Sequence, residues 1–206
     1  MNRPFIIGIT GGSGSGKTSL IRKLKHAFDE QSITVLSQDD YYVPIEDQYI
    51  DAHGVHNFDL PSAINIVEFV RDIKLLQQGN PVTRKEYVFN NDSASAKTLY
   101  FEPSKILVVE GLFLLHVPEI VAQLNVSIFV HARDDQKISR RIVRDQIERN
   151  YPLEDVLYRY EHHVMPSYME FILPYKDKAD IVINNDDSFD NAFELLRGFI
   201  QHKLDA

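Results

Sequence analysis

Cysteine is absent from the 206 residues, which excludes disulfides and thiolate chemistry and fits a reducing compartment. Positive charge is also short: 22 Lys and Arg stand against 30 Asp and Glu, a formal net charge of −8. Broad binding to nucleic acid or to an anionic membrane needs a dominant positive field, so neither partner is expected and any phosphate site must be local. No long hydrophobic run occurs. The longest, Ile106 to Val117, is interrupted by Glu110 and falls well short of the roughly 20 residues a membrane helix requires. Phe5 to Ile9, after Met1-Asn2-Arg3-Pro4, is too short for a signal-peptide core. Repeats, low-complexity tracts and composition shifts are missing too. A soluble cytoplasmic protein is the expectation.

Hydrophobic residues make up 44% and charged residues 25%, near the averages for globular proteins, and the length suits one α/β domain spanning 1–206. Apolar runs of strand length alternate with segments of helical period, which favours a parallel sheet flanked by helices. Strands are expected at Phe5 to Thr10, Thr34 to Ser37, Lys105 to Glu110, Val126 to Val130 and Asp180 to Ile183. Helices are expected at Lys17 to Phe28, Pro61 to Gln78, Asp134 to Arg149, Asp155 to Phe171 and Phe189 to Lys203. Between Val82 and Phe101 the sequence is rich in Thr, Tyr, Val and Phe but broken by Asn90-Asn91-Asp92-Ser93, the pattern of a hairpin insertion around a polar turn.

Gly11-Gly12-Ser13-Gly14-Ser15-Gly16-Lys17-Thr18 fits G-x-x-x-x-G-K-[ST] at every fixed position, after a strand and before a helix. Glycines let the backbone curl so that successive N–H groups converge on one phosphate, and the helix dipole points to the same place. Lys17 would then bridge the β and γ phosphates of ATP, and Thr18 would offer its hydroxyl to Mg²⁺, with Ser19 counted in the same nucleotide set. The plainer alternative is a flexible Gly/Ser loop. The flanking strand and helix argue against it.

Phosphoryl transfer to an alcohol also needs a metal carboxylate and a base for the hydroxyl proton. Glu110 ends an apolar strand where open α/β sheets bind ligands, which suits a Mg²⁺ or metal-water ligand rather than a solvated acid. Asp39 and Asp40 follow a neighbouring strand; Asp39 is the candidate base, although turns also favour Asp there. Asp59, just before a helix, either caps it or binds substrate hydroxyls. Lys137, Arg140, Arg141 and Arg144 share an arc of roughly 100° on one helix. Such a run is usually a solvated face, but transferring phosphoryl oxygens need cations and closure must exclude water, so a lid over 133–152 is the reading adopted.

These motifs together resemble the uridine kinase (uridine-cytidine kinase) family, from the first strand to about Asn184. The likeness rests on Gly11 to Thr18, Ser37-Gln38-Asp39, Asn57-Phe58-Asp59, Val109-Glu110-Gly111, Arg140 to Asp145 and Ala179-Asp180-Ile181. The resemblance implies a P-loop NTPase fold with a hairpin insertion and a helical lid. It implies Asp39 as base, with Lys17 and Arg144 also catalytic. Thr18 and Glu110 would sit at Mg²⁺, and Asp59 would bind ribose hydroxyls. Arg141, Arg144 and Arg149 would lie near phosphates and substrate, and a homo-oligomer is implied as well. Tyr87 and Phe89 match pocket aromatics, and Tyr42 joins the substrate set. Asp92 stands where the family has a histidine, Asn150-Tyr151 where it has Gly-Arg, and Arg159 where it has glutamine. An acid in place of an imidazole changes hydrogen-bond role and charge, so the base pocket departs from the family pattern while the phosphoryl-transfer parts match it.

The expected reaction is ATP-dependent phosphorylation of a nucleoside 5′-hydroxyl, uridine or cytidine first. A kinase for another ribosyl or small alcohol, such as nicotinamide riboside, is the second reading. A GTPase-like switch is the third. Asp51-Ala52-His53-Gly54 matches D-x-x-G but lies in no suitable strand-helix unit, and no N-K-x-D guanine signature occurs.

Overall fold

The computed structural model describes residues 3–88, 96–147 and 149–206. β1 (Phe5–Thr10) runs through the glycine loop into α1 (Lys17–Ala27), and β2 (Ile33–Ser37) follows. Next come α2 (Ile66–Gln77), the strands β3 (Val82–Lys85) and β4 (Thr98–Phe101), and β5 (Ile106–Glu110). The remainder is α3 (Pro118–Val121), β6 (Val126–His131), α4 (Asp134–Ile147), α5 (Leu153–Arg159), the single turn α6 (Met165–Ser167), β7 (Ile181–Asn184) and α7 (Asp190–Asp205).

Five strands form one parallel sheet in the order β2-β5-β1-β6-β7. Alternating side chains of the central strands feed two cores. Ile6, Leu107 and Val109 pack with Phe69, Ile73, Phe113 and Tyr168 on one face. Ile7, Ile9, Ile106 and Val108 pack with Leu20 and Leu24 of α1 and Phe193 and Ile200 of α7 on the other. Both faces are therefore covered, which is why β1 and β5 read as unbroken apolar runs. The register sets Ile9 beside Glu110 and Ser37 beside Glu110, so the carboxyl ends of β1, β5 and β2 finish level. Among the described residues no helix is long and apolar enough to cross a membrane.

All five expected strands form, each within one residue of its expected bounds. Two helix expectations need correction. Pro61 to Gln78 is not one helix: a 3-10 turn covers Pro61–Ala63, Ile64 is extended and bridges Tyr42, and α2 starts at Ile66 with the Asn65 side chain capping the Glu68 N–H at 3.1 Å. A capping asparagine inside the apolar period starts a new helix rather than continuing the old one. Asp155 to Phe171 lies within a longer helical run from Leu153 to Lys178 that widens twice, at Tyr160–Val164 and Tyr168–Ile172, into π-helical turns. These flank Pro166, whose missing N–H and bulky ring do not fit an α-helical interior.

The hairpin arms β3 and β4 pair antiparallel, Val82 opposite Phe101. Arg84 pins them to the body, its guanidinium 3.3 Å from the centre of the Tyr41 ring and 3.4 Å from the buried Asp72 carboxylate. Asp72 also accepts from the Tyr41 hydroxyl at 2.9 Å. The expected hairpin tip, with Phe89 and Asp92, lies outside the described residues.

Candidate active site

At the carboxyl end of β1 the glycine loop bends back on itself before α1. Gly14 and Gly16 hold φ of +79° and +105°, and a Cβ on either would strike the Lys137 carbonyl or the Asn185 amide. Only glycine fits both conformation and space. Lys17 folds over the loop, donating from Nζ to Gly11 O at 2.8 Å and Gly12 O at 3.2 Å. Burial lowers its pKa against the attraction of Glu110 and Asp39. Among the described residues the Ser15 hydroxyl, in the same loop, is buried without a partner.

Opposite the loop stand the carboxylates. Glu110 ends β5, is 8% exposed, and accepts a short hydrogen bond from the Ser37 hydroxyl. Burial, then the neighbouring charge of Asp39, push its carboxyl up to about 7, with Lys17 pulling the other way. Asp39 and Asp40 sit in a 3-10 turn at Gln38–Tyr41, and their backbone sends them apart. Asp39 lines the cavity. Asp40 accepts from the Tyr87 N–H at 3.4 Å, and burial raises its carboxyl to about 6.

The third wall is α4, whose amphipathicity is the reverse of a surface helix. Lys137 and Arg141 are 2% and 6% exposed, whereas Val143 and Ile147 are 58% and 76% exposed. Arg141 donates to the Ser13 hydroxyl at 2.9 Å and approaches Asp59 at 3.8 Å. Asp145, 2% exposed, gathers three guanidiniums: Arg141 at 3.1 Å, Arg144 at 2.8 Å and Arg149 at 3.5 Å. Lys137 turns away from the cavity, pairing with Asp134 at 2.8 Å and lying 3.4 Å from the centre of the Tyr168 ring.

A cavity of about 330 Å³ lies between these walls. It brings together Ser13, Gly14, Gly16, Lys17, Thr18 and Ser19 of the nucleotide set with Asp39, Tyr42, Asp59 and Glu110, and with Arg141, Arg144 and Arg149. Gly11, Gly12 and Ser15 are buried behind it. Tyr87 lies one ring back, 5.2 Å from Tyr42, which also meets Phe58 at 5.9 Å. Burial, with Asp39 and Asp59 nearby, raises the Tyr42 hydroxyl well above its ordinary value. Sequence reasoning assigned no role to Asp145, Arg22 or Leu112, of which the last two line the cavity, as does Arg140 of the expected lid cations. The i, i+4 spacing of Arg141 and Asp145 was the available signal for the first.

Among the described residues no three of His, Cys, Asp and Glu gather into a metal cage. A hard cation beside Thr18 and Glu110 would therefore complete its shell with phosphate oxygens and water, as Mg²⁺ does. Asp51-Ala52-His53-Gly54 faces elsewhere: the Asp51 carboxylate accepts from the Tyr158 hydroxyl at 2.8 Å and sits 2.7 Å from His163 Nε2. It clips the loop bearing Asp59 to α5 and to the helical run that follows it.

The family model described as "Phosphoribulokinase / Uridine kinase family" matches residues 6–190. A protein named uridine kinase from Streptococcus gordonii is 36% identical over 203 residues, covering 98% of this chain and 97% of its own. One of the same name from Clostridium tetani is 35% identical over 202 residues, covering 98% and 97%. The solved structure of phosphoribulokinase from Rhodobacter spheroides shares the fold at a TM-score of 0.61 and 18% identity, over 89% of this chain and 71% of that one. A family model matching residues 6–190, with relatives named uridine kinase 35–36% identical over nearly the whole chain, makes the protein a kinase that belongs to the phosphoribulokinase/uridine kinase family.

Proposed function

We propose that the protein transfers the γ-phosphoryl group of ATP to the 5′-hydroxyl of a ribonucleoside, uridine or cytidine. The carrying observation is the disposition of two acids: Asp39 and Glu110 face the phosphate loop from neighbouring strand ends, Glu110 buried and Asp39 open to the cavity. Relatives named uridine kinase support the choice of acceptor.

In this reading the loop N–H groups and Lys17 hold the donor phosphates, and Thr18 with Glu110 would hold Mg²⁺, which would supply charge neutralisation of the triphosphate. Asp59 and Tyr42 orient the ribose. Asp39 accepts the 5′-hydroxyl proton as that oxygen bonds to the γ phosphorus; the bond from phosphorus to the β–γ bridging oxygen breaks, and ADP leaves with the electron pair. Arg141 and Arg144, steered by Asp145, offset charge on the equatorial oxygens.

ADP release across a panel of uridine, cytidine and nicotinamide riboside tests the proposal. The wild type turns over at least one, and Asp39→Asn lowers kcat by about 10²–10⁴-fold while nucleotide binding survives. Equal turnover in the variant removes Asp39 from the mechanism.

A further inference from the structure

Asn185, the residue after β7, lies outside the cavity and 6% exposed, yet it touches three parts of the machinery. Its side-chain Nδ2 donates to the Ser15 carbonyl in the phosphate loop at 2.8 Å. Its backbone N–H donates to the His131 carbonyl at the end of β6, at 2.7 Å. Its own carbonyl accepts from Arg140 of α4 at 3.0 Å, and the next carbonyl, of Asp186, accepts from the same guanidinium at 3.3 Å. The bare Gly16 Cα is what lets the amide approach, since a Cβ there would collide with Nδ2.

A planar trans peptide points its C=O and N–H in opposite directions. Whatever fixes the Ser15 carbonyl therefore fixes the Gly16 N–H. The Ser15 carbonyl is held outward by Asn185, so the Gly16 N–H is turned to the opposite side, and Gly16 lines the cavity. Among the described residues that N–H donates to no partner within the protein. An N–H so oriented is half of an anion-binding nest.

We infer that Asn185 is a positioning residue for the phosphate donor: its amide locks the Ser15–Gly16 peptide with the Gly16 N–H facing the phosphates, and its carbonyl ties that lock to the lid through Arg140. The inference rests on the proposed placement of the donor in this loop. It assigns to the β7–α7 turn a part in donor binding that no cavity-lining residue reveals.

Asn185→Asp in the full-length chain keeps the side chain's shape but sets a carboxylate oxygen against the Ser15 carbonyl. The KM for ATP rises about tenfold or more, from loss of a hydrogen bond and gain of a repulsion, while the KM for the acceptor changes by less than about twofold. Inorganic tripolyphosphate, followed by calorimetry, loses affinity by the same factor. Asn185→Ala, which deletes the donor without adding charge, gives the same pattern and serves where the charged variant does not fold. Arg140→Met leaves the Ser15 bond intact and raises the KM for ATP by less than either. Unchanged tripolyphosphate affinity in a folded Asn185 variant overturns the inference, even if the variant melts lower. Failure of the wild type itself to bind tripolyphosphate overturns instead the placement of the donor.

Discussion

Replacing Glu110 with glutamine should make the metal-free protein more stable at pH 8 while abolishing its activity. The carboxyl is 8% exposed, with the Ser37 hydroxyl from β2 bonded to it, Lys17 of α1 facing it, and Asp39 and Asp40 on the turn after β2. Burial and then Asp39 raise it from 4.5 to about 7. A raised folded-state value means that folding takes up a proton. Stability from this group is fully present below pH 4.5 and is lost as pH rises through 7. A difference of about 2.5 units corresponds to about 3 kcal/mol, or a melting shift of about 6–12 °C for a chain of this size. Glutamine keeps the shape and removes the ionisation. Chemical denaturation of both proteins in EDTA, at steps from pH 4.5 to 8.5, should show the stability difference growing by about 3 kcal/mol in favour of Glu110→Gln. Asp39→Asn should move the midpoint of the wild-type loss to lower pH, because a charge that raises Glu110 is gone. Parallel stability curves across the range would refute the reasoning, since they would mean that Glu110 ionises as freely folded as unfolded.

Asp145→Asn leaves three guanidiniums at 2.8 to 3.5 Å without their buried counter-charge. The expected cost is about 3–5 kcal/mol of stability, and added tripolyphosphate should raise the variant's melting temperature more than the wild type's, as differential scanning fluorimetry can show. Gly14→Ala meets both a φ of +79° and the Lys137 carbonyl, so the loop and α4 must move apart. The KM for ATP should rise at least about tenfold in a coupled ADP-release assay, with far-UV circular dichroism unchanged.

Much of this molecule was legible along the chain because its determinants are local. The phosphate loop is eight consecutive residues, so its glycines, Lys17 and Thr18 declare a shape and a ligand together. Strands β1, β5 and β6 are apolar runs of strand length, and an acid ending such a run marks a ligand-binding edge of a parallel sheet. That reasoning reached Glu110 and Asp39 before any contact was known.

Tertiary structure alone decided what depends on partners far apart in sequence. Ser37 meets Glu110 across 73 residues, Ser13 meets Arg141 across 128, and Ser15 meets Asn185 across 170, each through the order of strands in the sheet. The direction of Asp40 toward the hairpin, rather than the cavity, is set by the Tyr87 N–H. The burial of Arg141 beneath an outward Val143 and Ile147 inverts the usual rule for helix faces, because beside it the interior is a polar cavity. Sequence period tells that two faces differ; only packing tells which one meets water.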